Sequence, residues 1–155
     1  MLGDGKLGLL VAQLLPEVTV LSRRPSKQAL LKRLGLRWVG SRQELDAESF
    51  DLVVECSGAP ALLDLALELV RPLGTVVLKS SWLEPSPLQA SRLMVKEIRL
   101  QGSRCGPFPP AIEALATGRV LVDPLVEHTF ALQEGLEAFE RAAAPGVLKV
   151  LLQPG

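Results

Sequence analysis

The chain opens Met1-Leu2-Gly3-Asp4-Gly5-Lys6-Leu7-Gly8 and runs on through an apolar stretch to Leu15. The spacing G-x-G-x-x-G at the mouth of an apolar helical run is that of a strand-to-helix turn that cradles a dinucleotide pyrophosphate. Each glycine has its own task. Gly3 permits a tight turn out of the strand, Gly5 lets backbone approach a phosphate with no Cβ between, and Gly8 lets the helix press on the sheet. The phosphates then meet the helix N-terminus, where unpaired N–H groups and the dipole favour negative charge. A glycine-rich turn before a helix also arises by chance, so the remaining residues of the chain must carry the same pattern.

Working outward, Met1-Leu2 is all that stands for the strand before the turn. A buried parallel strand takes about five residues, which reads as a chain beginning inside a longer protein. The first helix carries Leu7, Leu10, Val11 and Leu14 at the i, i+3, i+4, i+7 spacing, predicting a core-facing stripe, and Pro16 ends it. Strands are predicted at 18–21, 38–39, 52–55, 74–78 and 98–103, each rich in apolar or β-branched residues. Between them, helix two is predicted from Pro25 to Leu34 with Gly35 as its cap. Ser41-x-x-Glu44 predicts a capping box for a brief helix. A further helix is predicted from Pro60, with Leu62, Leu63, Ala66, Leu69 and Val70 on one face and Pro72 stopping it. Pro85 to Lys96 reads as a looser stretch. The pattern is α/β: a doubly wound parallel sheet with helices on both faces. Ligands of such sheets bind at the carboxyl ends of the strands. Gly3 to Gly8, Ser22 to Arg24, Cys56 to Gly58, Lys79 to Ser81 and Ser103 to Gly106 all follow strand ends.

After Gly106 the character changes. The division expected is a nucleotide-binding domain over residues 1–106 and a C-terminal segment over 107–155. In the latter, Pro107-Phe108-Pro109-Pro110 reads as a stiff connector. A helix follows near 111–117, then a strand at 128–132, a helix at 134–143 and a strand at 147–152.

Composition narrows the function classes. The 155 residues match one domain. Net charge is zero, which argues against bulk attraction to nucleic acid or an anionic membrane. No apolar run reaches the roughly 18 residues of a membrane span, and no signal peptide is evident. Cys56 and Cys105 are far apart and form neither a zinc-finger spacing nor a disulfide framework. A reducing, cytoplasmic setting is expected. The absence of Asn fits a heat-adapted source, and codon bias in a GC-rich genome would look the same.

The strand end after residue 21 bears on which dinucleotide is bound. An NAD site presents an acid there for the ribose 2′-hydroxyl. Ser22 stands in that place instead, flanked by Arg23, Arg24 and Lys27. A small hydroxyl with guanidinium neighbours suits a 2′-phosphate, so NADP(H) is favoured over NAD(H). The other reading of Arg23 and Arg24 is as solvated loop charges.

The ordered set Gly3-Asp4-Gly5-Lys6-Leu7-Gly8, Asp51-Leu52-Val53-Val54-Glu55-Cys56-Ser57-Gly58 and Leu69-Val70-Arg71-Pro72-Leu73-Gly74-Thr75-Val76-Val77 resembles the nucleotide-binding half of medium-chain, zinc-type alcohol dehydrogenases and reductases. The run from Glu134 to Phe139 and Leu148-Lys149-Val150 resembles that family's closing segment. The resemblance implies a Rossmann-like domain and hydride transfer between NADP(H) and an alcohol or carbonyl. It implies that Gly3, Asp4, Gly5, Lys6, Leu7 and Gly8 hold the pyrophosphate turn. Ser22, Arg23, Arg24 and Lys27 would meet the adenosine ribose and its phosphate. Cys56, Ser57 and Gly58 would lie by the cofactor's middle. Lys79, Ser80, Ser103, Arg104 and Cys105 would lie towards the nicotinamide. Family members carry an N-terminal catalytic domain with the zinc ligands, and no Cys, His or Glu cluster of this sequence replaces it, so zinc is not expected on this chain. The segment after Gly106 is then expected to expose apolar surface or to meet a second copy. The edge strand 98–103 is expected to pair across a homodimer.

Other residues read more plainly. His128, the one histidine, suits packing or the surface better than catalysis, and the two cysteines suit packing. Asp4 reads as a capping or solvating side chain, Glu55 as a structural hydrogen-bonding group, and Trp82 as a packing residue. Two further function classes share the glycine turn. A non-catalytic nucleotide-sensing module fits the C-terminal segment less well. An S-adenosylmethionine-dependent transferase wants an acid after strand two, and Ser22-Arg23-Arg24 supplies none.

Overall fold

The computed structural model describes residues 1–82 and 88–155. The looser stretch read from Pro85 to Lys96 lies outside the described residues up to residue 87. Its remainder contains helix α4, Ala90–Lys96.

The strands are β1 (Thr19–Leu21), β2 (Arg37–Val39), β3 (Phe50–Glu55), β4 (Val70–Leu78), β5 (Arg99–Gly102), β6 (Val126–Ala131) and β7 (Lys149–Gln153). All described pairings are parallel. Leu2 is the join: it bridges Leu21 on one side and Glu55 on the other. Its N–H donates to the Val54 carbonyl at 2.8 Å and its carbonyl accepts from Cys56 N–H at 2.9 Å, while Leu21 N–H donates to the Met1 carbonyl at 3.0 Å. The result is one sheet in the order β2, β1, Leu2, β3, β4, β5. Counting Met1-Leu2 as the first strand, this is the dinucleotide-binding order 3-2-1-4-5-6.

The sheet is covered on both faces, as alternation along β1 shows. Neighbouring residues of a strand face opposite ways. Val20 packs with Leu9, Ala12, Leu31 and Leu36. Leu21 packs instead with Leu63, Leu65, Leu67 and Leu69, and with Val53 and Val76. Helices α1 (Lys6–Ala12) and α2 (Gln28–Arg33) therefore cover one face, and α3 (Ala61–Leu69) the other. The doubly wound architecture is as expected.

Three local expectations are corrected. The buried residues of α1 are Gly8, Leu9 and Ala12, whereas Leu7 and Leu14 are exposed and Leu10 and Val11 half-buried. The reason is Gly8: a Cβ there would stand 2.1 Å from the Gly3 carbonyl oxygen and 3.0 Å from Cys56 Sγ. The glycine must face the sheet, Ala12 follows it one turn later, and the leucine stripe is rotated outward. Second, Val70 leaves the helix face for β4, which runs through Pro72. Its pairing with β3 slips between Phe50–Val70 and Leu52–Thr75, and this irregularity accommodates the proline. Third, Pro107-Phe108-Pro109-Pro110 is not a connector. Helix α5 spans Phe108–Ala116, and the prolines occupy its cap and first turn, where no N–H is needed.

The remainder follows the pattern. Pro25–Lys27 forms a 3-10 turn leading into α2, Gly35 takes φ +67°, and the Ser41–Glu44 capping box closes a 3-10 turn at Arg42–Glu44. Helix α6 (Gly135–Ala143) lies beside the small parallel pair β6–β7. This C-terminal part docks on the α1–α2 face through Leu125 and Leu148. The Gln13 side chain also donates to the Leu121 carbonyl and accepts from Leu121 N–H at 2.7 Å. It leaves Phe108, Ile112, Leu136 and Phe139 exposed, the apolar surface expected there. Among the described residues, no helix is long and apolar enough to cross a membrane.

Leu2 is 1% exposed and packs in the α3-side core. Leu2→Ala should lower stability by about 3 kcal/mol, read as a lower urea midpoint with an unchanged slope.

Candidate functional site

The carboxyl ends of the sheet strands form one ledge. At its centre is the turn from Gly3, with φ +123°, to Gly8. A Cβ on Gly3 would lie 2.8 Å from the carbonyl carbon and oxygen of Cys56, so Gly3 and Gly8 are both fixed by the protein's own packing. A Cβ on Gly5 would meet nothing within 4 Å. This glycine borders open space and fits a group arriving from outside. Gly5 also stands at the N-cap of α1, which no side chain caps. Lys6 and Leu7 follow it, both exposed on the first turn.

On one side of the turn lies Ser22, at the end of β1 and only 2% exposed. Its hydroxyl donates to Asp4 Oδ2 at 2.8 Å. The bridge between Leu2 and Leu21 explains the meeting, since two and one residues further on the chains stand side by side. Reading the sequence linearly missed this pair, because the partners are 18 residues apart and adjoin only once the first strand is placed beside the second. The three cations expected around Ser22 separate. Arg23 is exposed and has no ion-pair partner among the described residues. Arg24 is also exposed, with its guanidinium 3.6 Å from where a Gly146 Cβ would stand. Lys27 differs most from expectation. It is 5% exposed, its ammonium donates to the Gly146 carbonyl at 2.8 Å, and it lies 3.6 Å from Glu127. Its charge belongs to the seam with the C-terminal segment.

On the other side, β3, β4 and β5 end in a hydrogen-bonded set. Glu55 is fully buried, and its Oε1 accepts from both the N–H (2.8 Å) and the hydroxyl of Ser57. Its Oε2 has no partner among the described residues. The Ser57 hydroxyl in turn accepts from Ala59 N–H at 3.0 Å. Gly58 N–H donates to the Ser80 hydroxyl at 2.8 Å, and the Lys79 ammonium donates to the Ser103 carbonyl and hydroxyl at 3.2 Å each. Ser57, Gly58, Lys79, Ser80 and Ser103 are thus brought together. Arg104 and Cys105 follow as exposed residues. Glu55, read from sequence as structural, is the buried anchor of this side.

Cys56 sits beneath the glycine turn. Its thiol donates to the Leu2 carbonyl at 3.4 Å and touches Met1 Sδ at 3.4 Å. Burial first, then the Glu55 carboxylate, push the thiol up to about 11. Elsewhere, His128 Nε2 accepts from Arg141 Nε at 2.8 Å on the surface, away from the ledge. Among the described residues, no group of three or more His, Cys, Asp or Glu side chains is placed to hold a metal ion. The ledge thus gathers hydroxyls, backbone N–H groups, a lysine and a carboxylate around a turn whose Gly5 leaves open space.

The chain is similar to known proteins in sequence and in fold. A family model described as zinc-binding dehydrogenase matches residues 5–117. D-xylulose reductase of Morganella morganii is 30% identical over 106 residues, which is 67% of this chain and 31% of that protein. Sorbitol dehydrogenase of Gallus gallus is 32% identical over 105 residues, 66% of this chain and 30% of that protein. A protein described as a zinc-binding dehydrogenase of Sinorhizobium meliloti 1021, solved with NADP bound, superposes with a TM-score of 0.84 at 28% identity, covering 99% of this chain and 51% of that one. The chain thus spans about half the length of that solved relative, and the matches cover about a third of the curated ones.

The thiols offer a direct check on the ledge. Cys105 is exposed and Cys56 is held protonated by burial. Iodoacetamide at pH 8 should label Cys105 at once and Cys56 only after unfolding, as mass spectrometry of tryptic peptides would show. An unfolded thiol ionises near 9 and this one near 11. The folded state therefore holds the extra proton between these values, and stability should fall as pH rises from 9 through 11. Cys56→Ser should flatten that slope.

Proposed function

The chain belongs to the zinc-binding dehydrogenase family, and on that premise we propose that it is the dinucleotide-binding part of an oxidoreductase acting on an alcohol or carbonyl. The single observation that carries this reading is the convergence of the Gly3–Gly8 turn, Ser22, Ser57, Gly58, Lys79, Ser80 and Ser103 at the carboxyl ends of neighbouring parallel strands. A nicotinamide dinucleotide, when bound, supplies the hydride acceptor or donor. The chain's own residues bind and orient it. Gly5 leaves room for the pyrophosphate, Ser22 and Arg23 face the adenosine ribose, and the set anchored by Glu55 shapes the path towards the nicotinamide. Sorbitol dehydrogenase and D-xylulose reductase among the relatives support a polyol or its ketose as the substrate class. Zinc chemistry is assigned no step, because the described residues form no ligand set for it.

The preference we propose is NADP(H) over NAD(H). Support comes from Arg23 beside Ser22, the absence of an acid at the end of β1 itself, and the NADP bound by the Sinorhizobium relative. We further read the division at residues 106 and 107 as a domain boundary and β5 as the edge through which two copies would pair, since it pairs only with β4 among the described residues. The two free thiols favour a reducing, cytoplasmic setting.

Calorimetric titration tests the cofactor reading. NADPH should bind more tightly than NADH, and Arg23→Ala should weaken NADPH about tenfold while leaving NADH within about twofold. Equal binding of the two nucleotides with no effect of Arg23→Ala would remove the NADP(H) preference. Binding of neither would remove the dinucleotide reading.

A further inference from the structure

The strand end after β1 carries an acid after all, delivered from another element. Asp4 belongs to the glycine turn, yet its Oδ2 stands 2.8 Å from the Ser22 hydroxyl. The first consequence is a matter of donors and acceptors. A serine hydroxyl has one proton to donate. Ser22 donates it to Asp4, so the oxygen has only lone pairs left for a ligand. A 2′-phosphate offers acceptor oxygens alone and gains nothing there, whereas a ribose 2′-hydroxyl can donate. The second consequence is charge. The Asp4 carboxylate would stand beside the group carried at the 2′ position, where it repels a phosphate and accepts from a hydroxyl. Ser22 is 2% exposed and its N–H is bound to the Val39 carbonyl at 3.0 Å, so the pair has a fixed place at the strand end.

The opposing attraction is smaller than the sequence suggests. Of the three nearby cations, Lys27 is turned to Gly146 and Glu127, and Arg24 lies against Gly146. Arg23 alone is left to face a 2′-phosphate.

Resting on the dinucleotide reading above, we propose that Asp4 is the specificity-determining residue of the adenosine end. It does from the turn what a strand-end acid does elsewhere, reading a ribose 2′-hydroxyl and holding down the preference for a 2′-phosphate that Arg23 creates. The ratio of NADPH to NADH affinity is set by these two charges in opposition.

The test compares Asp4→Asn, which removes the charge and keeps the shape, with Asp4→Glu, which keeps the charge. Binding of NADPH, NADH, 2′,5′-ADP and ADP is measured by calorimetry on each folded chain, with circular dichroism as the check of folding. The last two nucleotides isolate the adenosine end. Asp4→Asn should raise the NADPH-to-NADH and 2′,5′-ADP-to-ADP affinity ratios about tenfold. Asp4→Glu should leave both within about threefold of the parent. Asp4→Ser is the uncharged replacement if the amide disturbs the turn. If the uncharged variants bind nucleotides with the parental ratios, Asp4 does not set specificity and the proposal is overturned, with the dinucleotide reading intact. If the folded parent binds none of the four, the dinucleotide reading itself falls and takes this one with it.

Discussion

The parallel pairing of Leu2 holds the rest of the structure in place. One residue, through backbone hydrogen bonds to both sides, joins the β1–β2 ladder to the β3–β4–β5 ladder. Backbone groups buried in a sheet must be paired. Here those of Met1 to Leu2 are paired by strands from opposite halves of the domain. The consequence reaches the site at once. Because Leu2 is in register with Leu21 and Glu55, the turn leaves the sheet at the one point where Ser22 and Cys56 flank it. Gly3 and Gly8 then need to be glycine for reasons internal to the fold. Gly5, whose side is open, is the position free to serve a ligand.

Much of this was legible in the sequence because it depends on local chemistry. Alternation of apolar runs with capped helices is written in short windows, and so the parallel sheet, the Ser41–Glu44 capping box and the Gly35 stop are readable one element at a time. The glycine spacing likewise announces a turn of known purpose. What escaped depends on contacts between distant segments. The leucines of α1 suggest a core face, but the close approach of Gly8 to the Gly3 carbonyl and to Cys56 decides which way the helix is turned. Val70 and Pro72 look like a helix end, yet a slipped ladder with Phe50 and Leu52 draws them into β4.

The site divides along the same line. Membership of the ledge was readable, since strand ends can be counted. The partners were not. Asp4 finds Ser22 only across the sheet, and Lys27 finds Gly146 only across the seam with the C-terminal segment. A basic run such as Arg23 to Lys27 looks uniform in sequence. In three dimensions Lys27 is bound to Gly146 and Glu127, Arg24 lies against Gly146, and Arg23 has no ion-pair partner among the described residues, so composition overstates the positive field at the strand end.

The buried ammonium of Lys27 also bears on how the molecule comes apart. Its partners, Gly146 and Glu127, both belong to the segment after Gly106, while Lys27 itself opens helix α2. Peeling that segment away would break the Lys27 contacts with Gly146 and Glu127 and expose Leu9 and Leu31 together. Partial detachment is therefore penalised by lost apolar burial, and the docked segment braces helix α2 just beyond the strand end that carries Ser22.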